Sequence, residues 1–171
     1  MMLKIYKYKM CNLITIKTSD DHLFIVDAIM YKKSRIIADM LDLDEKGQLY
    51  MTEDRFIPLI NINSKIFELI NRYVIYHQND MIQDKLSINI DINLSDWDND
   101  FLCLDPKTTL SKLMIAANYM EIDGLFKACV KKITYLIRDK NPEEIRLMLG
   151  IQNNLTLEQE LKIKTNMKIF L

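Results

Sequence analysis

The first regular alternation of apolar and polar residues falls in "NLITIKTSDDHLFIVD" (12–27), where Ile14 and Ile16 alternate with Thr15 and Lys17. A period of two puts successive side chains on opposite faces of a strand. Ser19–Asp21 supplies turn formers before a second apolar run, Leu23–Val26, so this segment predicts a hairpin. Beyond it the period lengthens. Ile29, Met30, Ile36, Ile37, Met40 and Leu41 recur at helical spacing, with Ser34 as a cap for the second half. "RFIPLI" (55–60) is short and β-like. Its Pro58 donates no ladder hydrogen bond, which predicts a sheet edge or a strand end.

The remainder is helical in pattern. "NSKIFELINRYVIYHQ" (63–78) opens on polar caps, and Ile66, Ile70, Tyr73, Val74 and His77 form one stripe. Between residues 79 and 100 periodicity weakens and Asp recurs, which predicts a solvated acidic loop with "INIDINL" (88–94) partly extended. "KTTLSKLMIAANYM" (107–120) restarts a helix behind Thr108 or Thr109. Asp123 is the expected cap of the next, whose stripe is Phe126, Cys129, Val130, Ile133, Leu136 and Ile137. In "KNPEEIRLMLG" (140–150), Asn141 caps, Pro142 takes the first helical position, Glu144 closes a capping box and Gly150 ends the helix. Thr156 and Gln159 repeat that grammar in "LTLEQELKIK" (155–164). Each cap contributes only about 1 kcal/mol, and its main effect is to set where a short helix begins. Three short strands among helices, then helices alone, make the chain α+β.

Composition narrows the function more than the fold. With 171 residues and 49% hydrophobic content, the chain suits one compact domain or a domain with an appendage. Its net charge of -1, from 23 basic and 24 acidic residues, gives no reason to expect nucleic acid or an anionic membrane as partner. Cys11, Cys103 and Cys129 are far apart and form no CxxC spacing, which favours a reducing compartment. "MMLKIYKYKM" (1–10) interrupts its apolar residues with lysines, unlike a signal peptide. The expectation is a soluble intracellular protein.

Catalytic chemistry is not apparent. Asp96, Asp98 and Asp100 imitate the start of a calcium loop, but the sixth and twelfth positions hold Phe101 and Lys107 instead of Gly and Glu. His22 and His77 have no second ligand at metal spacing, and no glycine-rich phosphate loop or GxSxG elbow exists. A non-enzyme without metal or cofactor is expected.

Four ordered motifs carry a family likeness: "FIPLININ" (56–63), "WDNDFL" (97–102), "LMIAANYMEIDGL" (113–125) and "NPEEIRLMLGIQNNLT" (141–156). They resemble, in register from about Leu13 to near Met167, the S-phase-kinase-associated protein 1 family of SCF ubiquitin-ligase adaptors. The resemblance implies a POZ/BTB-like core, a small three-stranded sheet flanked by helices, with two extra C-terminal helices. It divides the chain into an extension (1–12), the core (13–122) and a helical F-box-binding region (123–171). It also implies a non-catalytic bridge between the N-terminal domain of a cullin and F-box substrate receptors.

Asn118 and Tyr119 match the family's cullin-facing Asn-Tyr pair. Their chemistry agrees, since Tyr offers an apolar face with a polar tip and Asn both a donor and an acceptor. For the F-box side, Leu125, Cys129, Ile133 and Ile137 repeat every four residues. Pro142, Ile145, Leu149, Ile151 and Leu155 follow in two short helices with little core of their own. The family's C-terminal Trp is absent, and Phe170 is the candidate substitute. Alternatives are a divergent relative holding only one partner, as a decoy or in a non-ligase F-box complex, and a self-associating POZ module. Weak homodimerisation of the unliganded chain is a further expectation.

Overall fold

A computed structural model describes residues 13–27, 29–41, 56–80 and 94–167. The hairpin forms as the alternation predicts. β1 (Leu13–Thr18) and β2 (Leu23–Asp27) pair antiparallel with Ile14 opposite Val26 and Ile16 opposite Phe24. Its turn puts Asp21 at φ 62, in the left-handed region that aspartate tolerates better than most residues. β3 (Ile57–Leu59) adds parallel to β1, giving the order β2-β1-β3 and leaving Pro58 on an edge strand. Ile14, Ile16, Val26, Ile57 and Leu59 face inward and are buried.

Helices cover that inner face. α1 (Ile29–Lys33) and α2 (Arg35–Met40) meet at Ser34, whose hydroxyl accepts from Ile37 N at 3.4 Å and donates to Met120 O at 2.7 Å. α3 (Ser64–Tyr76) starts behind Asn63 and buries Ile66, Phe67, Ile70, Tyr73 and Val74, the predicted stripe with Phe67 added and His77, half-buried at the C-cap, left out. The hairpin turn also holds α3. Asp20 accepts from Ser64 N at 2.9 Å, Ser64 Oγ at 2.6 Å and Thr18 Oγ1 at 2.7 Å. Those bonds, from Ser64 first, hold its carboxyl well below the usual range.

The acidic-loop expectation needs correction at its end. "DWDND" belongs to α4 (Asp96–Phe101), capped by Ser95, which accepts from Asp98 N at 3.0 Å. Aspartates that dilute hydrophobic periodicity are favourable in a first helical turn, where unpaired N–H groups and the helix dipole meet them. The rings hidden in that acidic run then stack, Trp97 on Tyr76 at 3.8 Å and on Phe101 at 4.8 Å. Asp98 is buried, bonded to Ser95 Oγ at 2.7 Å and to His77 Nε2 at 2.9 Å. "INIDINL", apart from Leu94, lies outside the described residues, as do residues 1–12 and Phe170.

Two cap assignments also change. A π-helical turn, Pro106–Leu110, precedes α5 (Ser111–Tyr119), so Thr108 sits inside a helical turn and donates to the Asp105 carboxylate. Proline, preset for a first helical position, starts the coil earlier than the threonines suggest. Asp123 is the first residue of α6 (Asp123–Ile137), with Ile122 at the cap position and no side-chain cap bond. The buried stripe of α6 is Leu125, Ala128, Cys129 and Lys132, rotated from the predicted one, and Val130 is exposed. Lys132 lays its stem along the apolar surface and donates to Asn99 O at 3.1 Å, tying α6 to α4.

α7 (Pro142–Leu149) carries the reciprocal capping box, with Glu144 N on Asn141 Oδ1 at 2.9 Å and Asn141 N on Glu144 Oε2 at 3.0 Å. Gly150 takes φ 69, as its place after the helix predicts. α8 (Leu157–Met167) begins with the Thr156–Gln159 exchange at 2.9 and 3.3 Å. None of the residues of α7 is buried.

Candidate binding surfaces

The end of α5 is built by a Schellman closure. Ile122 N donates to Ala117 O at 2.9 Å and Glu121 N to Asn118 O at 3.1 Å. This puts Glu121 at φ 51, where glycine is the usual occupant. Leu113, Ala116, Ala117 and Met120 are buried beneath, while Asn118 is exposed and Tyr119 half-buried. Neither the Asn118 amide nor the Tyr119 hydroxyl finds a hydrogen-bond partner among the described residues. Asn118 also lines a cleft of about 390 Å³ with Ala117, Glu121, Asp123 and Phe126. Ile115, inside the apolar run of α5, is 65% exposed one turn before the pair. Sequence reading missed it because an all-apolar stretch shows no preferred face. The spacing of three and four residues to Asn118 and Tyr119 was the available signal.

The second surface follows α6. The four-residue spacing does place Leu125, Cys129, Ile133 and Ile137 on one side, but that side passes from core to surface along the helix. Leu125 and Cys129 are fully buried, so neither is available to a partner, and both are withdrawn from the binding face. Burial pushes the Cys129 thiol up to about 12, leaving it unionised at neutral pH. Ile133, Ile137, Ile145 and Leu149 are half-buried, and Pro142, Ile151 and Leu155 are exposed.

The apolar surface there is larger than predicted. Leu147, Leu157 and Leu161 are 79%, 81% and 66% exposed, and Tyr135 and Ile163 are exposed with them. These positions look like ordinary helical leucines in sequence; only a fold that leaves α7 and α8 without a covering layer reveals them. α7 is held at its C-terminal end, where Gly150 packs on the Lys107 stem so closely that a Cβ would lie 2.9 Å from Lys107 Cγ and Cε.

Residues 12–79 match the Skp1 family tetramerisation domain, and residues 123–167 match the Skp1 family dimerisation domain. The chain belongs to the Skp1 family. It is 34% identical over 158 residues to a Skp1-related protein of Caenorhabditis elegans, covering 88% of this chain and 87% of that protein. It is 28% identical over 152 residues to Suppressor of kinetochore protein 1 of Schizosaccharomyces pombe, covering 86% and 90% respectively. It is 30% identical over 153 residues to SKP1-like protein 18 of Arabidopsis thaliana, with 90% and 92% covered. The Skp1-family POZ domain accounts for the sheet-bearing part of the α+β fold; the first motif lies within its match, and the fourth lies within the match to the dimerisation domain.

Proposed function

We propose that this protein is a non-catalytic adaptor of an SCF-type ubiquitin ligase, holding a cullin N-terminal domain at the Asn118–Tyr119 end of α5 and F-box proteins on α7–α8. The observation that carries this reading is the pair of unpartnered polar groups on an otherwise well-packed helix end, beside exposed Ile115. An apolar side chain flanked by free donors and acceptors suits a protein interface better than solvent. The F-box reading rests on the exposed leucines of α7 and α8, whose apolar area needs a covering partner. α6, 15 residues long, starts beside one surface and ends beside the other, about 22 Å away at 1.5 Å per residue. Two partners therefore have room to bind together.

The test mixes the purified protein with an F-box domain and a cullin N-terminal fragment and measures the eluting mass by light scattering. A ternary mass is expected. Asn118→Ala with Tyr119→Ala removes the cullin and leaves the F-box complex. A binary complex that ignores the cullin would overturn the bridging role.

A further inference from the structure

We propose that His77 is a pH-sensitive clasp on α4: with a hydrogen on each ring nitrogen it bridges two carboxylates and seats that helix, and losing one of those protons loosens it. The ring stands at the C-cap of α3. The Asp80 carboxylate lies 2.5 Å from its Nδ1 and the Asp98 carboxylate of α4 lies 2.9 Å from its Nε2. An ionised carboxylate only accepts, and a neutral imidazole donates from one nitrogen alone. Both contacts are therefore satisfied together only by the imidazolium ring.

Burial makes the proton matter. The side chains of His77 and Asp98 are 15% and 13% exposed, against 63% for Asp80. A neutral ring that keeps its hydrogen on Nε2 still bonds Asp98 but turns a lone pair on Asp80 and leaves the Asp98 anion without its counter-charge. Charge-assisted hydrogen bonds are roughly twice as strong as neutral ones, and an uncompensated buried charge is costly. Asp98 keeps only the Ser95 hydroxyl, at 2.7 Å, and the seat of α4 weakens.

Of the other ionisable groups around the ring, Tyr73 and Cys129 stay neutral. Tyr73 packs its ring 4.2 Å away, and burial first, then the Asp98 charge, raises its hydroxyl above the usual phenol range. Burial likewise pushes the Cys129 thiol of α6 up to about 12. Tyr76 meets the ring edge-on at 4.9 Å, and Lys33 of α1 donates to the Asp80 backbone O at 2.7 Å. Arg72 sits over the Phe101 ring at 5.7 Å, and Asp96 and Asp100 of α4 are exposed. The residues beside Asp98 carry the consequence. Trp97 stacks on Tyr76 and Asn99 receives Lys132 of α6, so a loosened α4 unstacks the indole and gives up its tie to α6.

Trp97 is the only tryptophan of the chain, so its fluorescence reports on α4 directly. Emission from the full chain should shift reversibly to the red as pH is raised from mildly acidic to mildly alkaline values. His77→Gln has no ring proton to lose and should show no such shift, with circular dichroism confirming that the variant is folded. NMR of the His77 ring in the unaltered protein reads the clasp itself, independently of any variant. Both ring nitrogens should carry hydrogen while Trp97 is stacked, and one should lose it in step with the emission change. An emission that ignores pH overturns the proposal, as does a transition that persists in folded His77→Gln. A ring with a single N–H beneath a still-stacked Trp97 overturns it too.

Discussion

Asp20 shows how one exposed side chain joins elements far apart in sequence. Its carboxylate takes the first N–H of α3 and the Ser64 hydroxyl while sitting in the β1–β2 turn. Because its folded-state pKa lies below the unfolded value, the folded state releases that proton more readily. The contribution to stability is present above the unfolded value and fades as pH falls through the carboxylate range. Denaturant melts of Asp20→Asn should therefore show a shallower loss of stability between about pH 5 and pH 2 than the parent protein. Glu121 is a residue-scale case of the opposite sign. Its φ of 51 suits glycine, so Glu121→Gly should stabilise the protein by about 0.5–1 kcal/mol, read as a raised Tm. Asn118→Ala should leave Tm nearly unchanged, since its amide is bonded to nothing in the described fold, whereas Tyr119→Ala should lower Tm, because its half-buried ring packs against the core.

At the scale of elements, α7 is attached by its ends more than by its faces. The capping box at Asn141 fixes its start, and Gly150 against the Lys107 stem fixes its finish. Gly150→Ala meets both a left-handed φ and a 2.9 Å contact, so it should loosen α7 by about 1 kcal/mol or more. Amide exchange is the fitting measurement, with faster exchange confined to α7 and α8 and no change in α3 or α5. The packing of α4 illustrates the converse. It is only six residues long, yet Trp97 stacks on Tyr76 of α3, Phe101 packs tilted against Tyr73, and Asn99 receives Lys132 of α6. Tertiary contacts, not propensity, hold so short a helix.

For the whole molecule, the apolar core and the proposed F-box surface occupy different stretches of chain. Among the described residues the last buried apolar one is Cys129, and α7 contributes none. A chain ending at residue 140 should therefore keep its fold and its cullin affinity while losing F-box binding. Circular dichroism and the light-scattering assay together would check this. Loss of the folded signal would mean that α7 and α8 supply stability as well as a surface.

The period-two runs at 13–18 and 23–27, the α3 stripe, and the capping grammar at Asn141, Gly150 and Thr156 were legible in the sequence because local sterics and hydrogen bonds decide them. The four motifs likewise identified the family. What the sequence left open was direction: which side of each apolar element meets the core. Leu125 and Cys129 share a spacing with Ile133 and Ile137, yet only the first two are sealed. Ile115 lies in an apolar run that marks no face, and it stands in solvent. Asp98, read as part of a solvated loop, is buried against Ser95 and His77. Burial depends on what packs alongside, and that neighbour comes from distant sequence. Only the tertiary structure decides it.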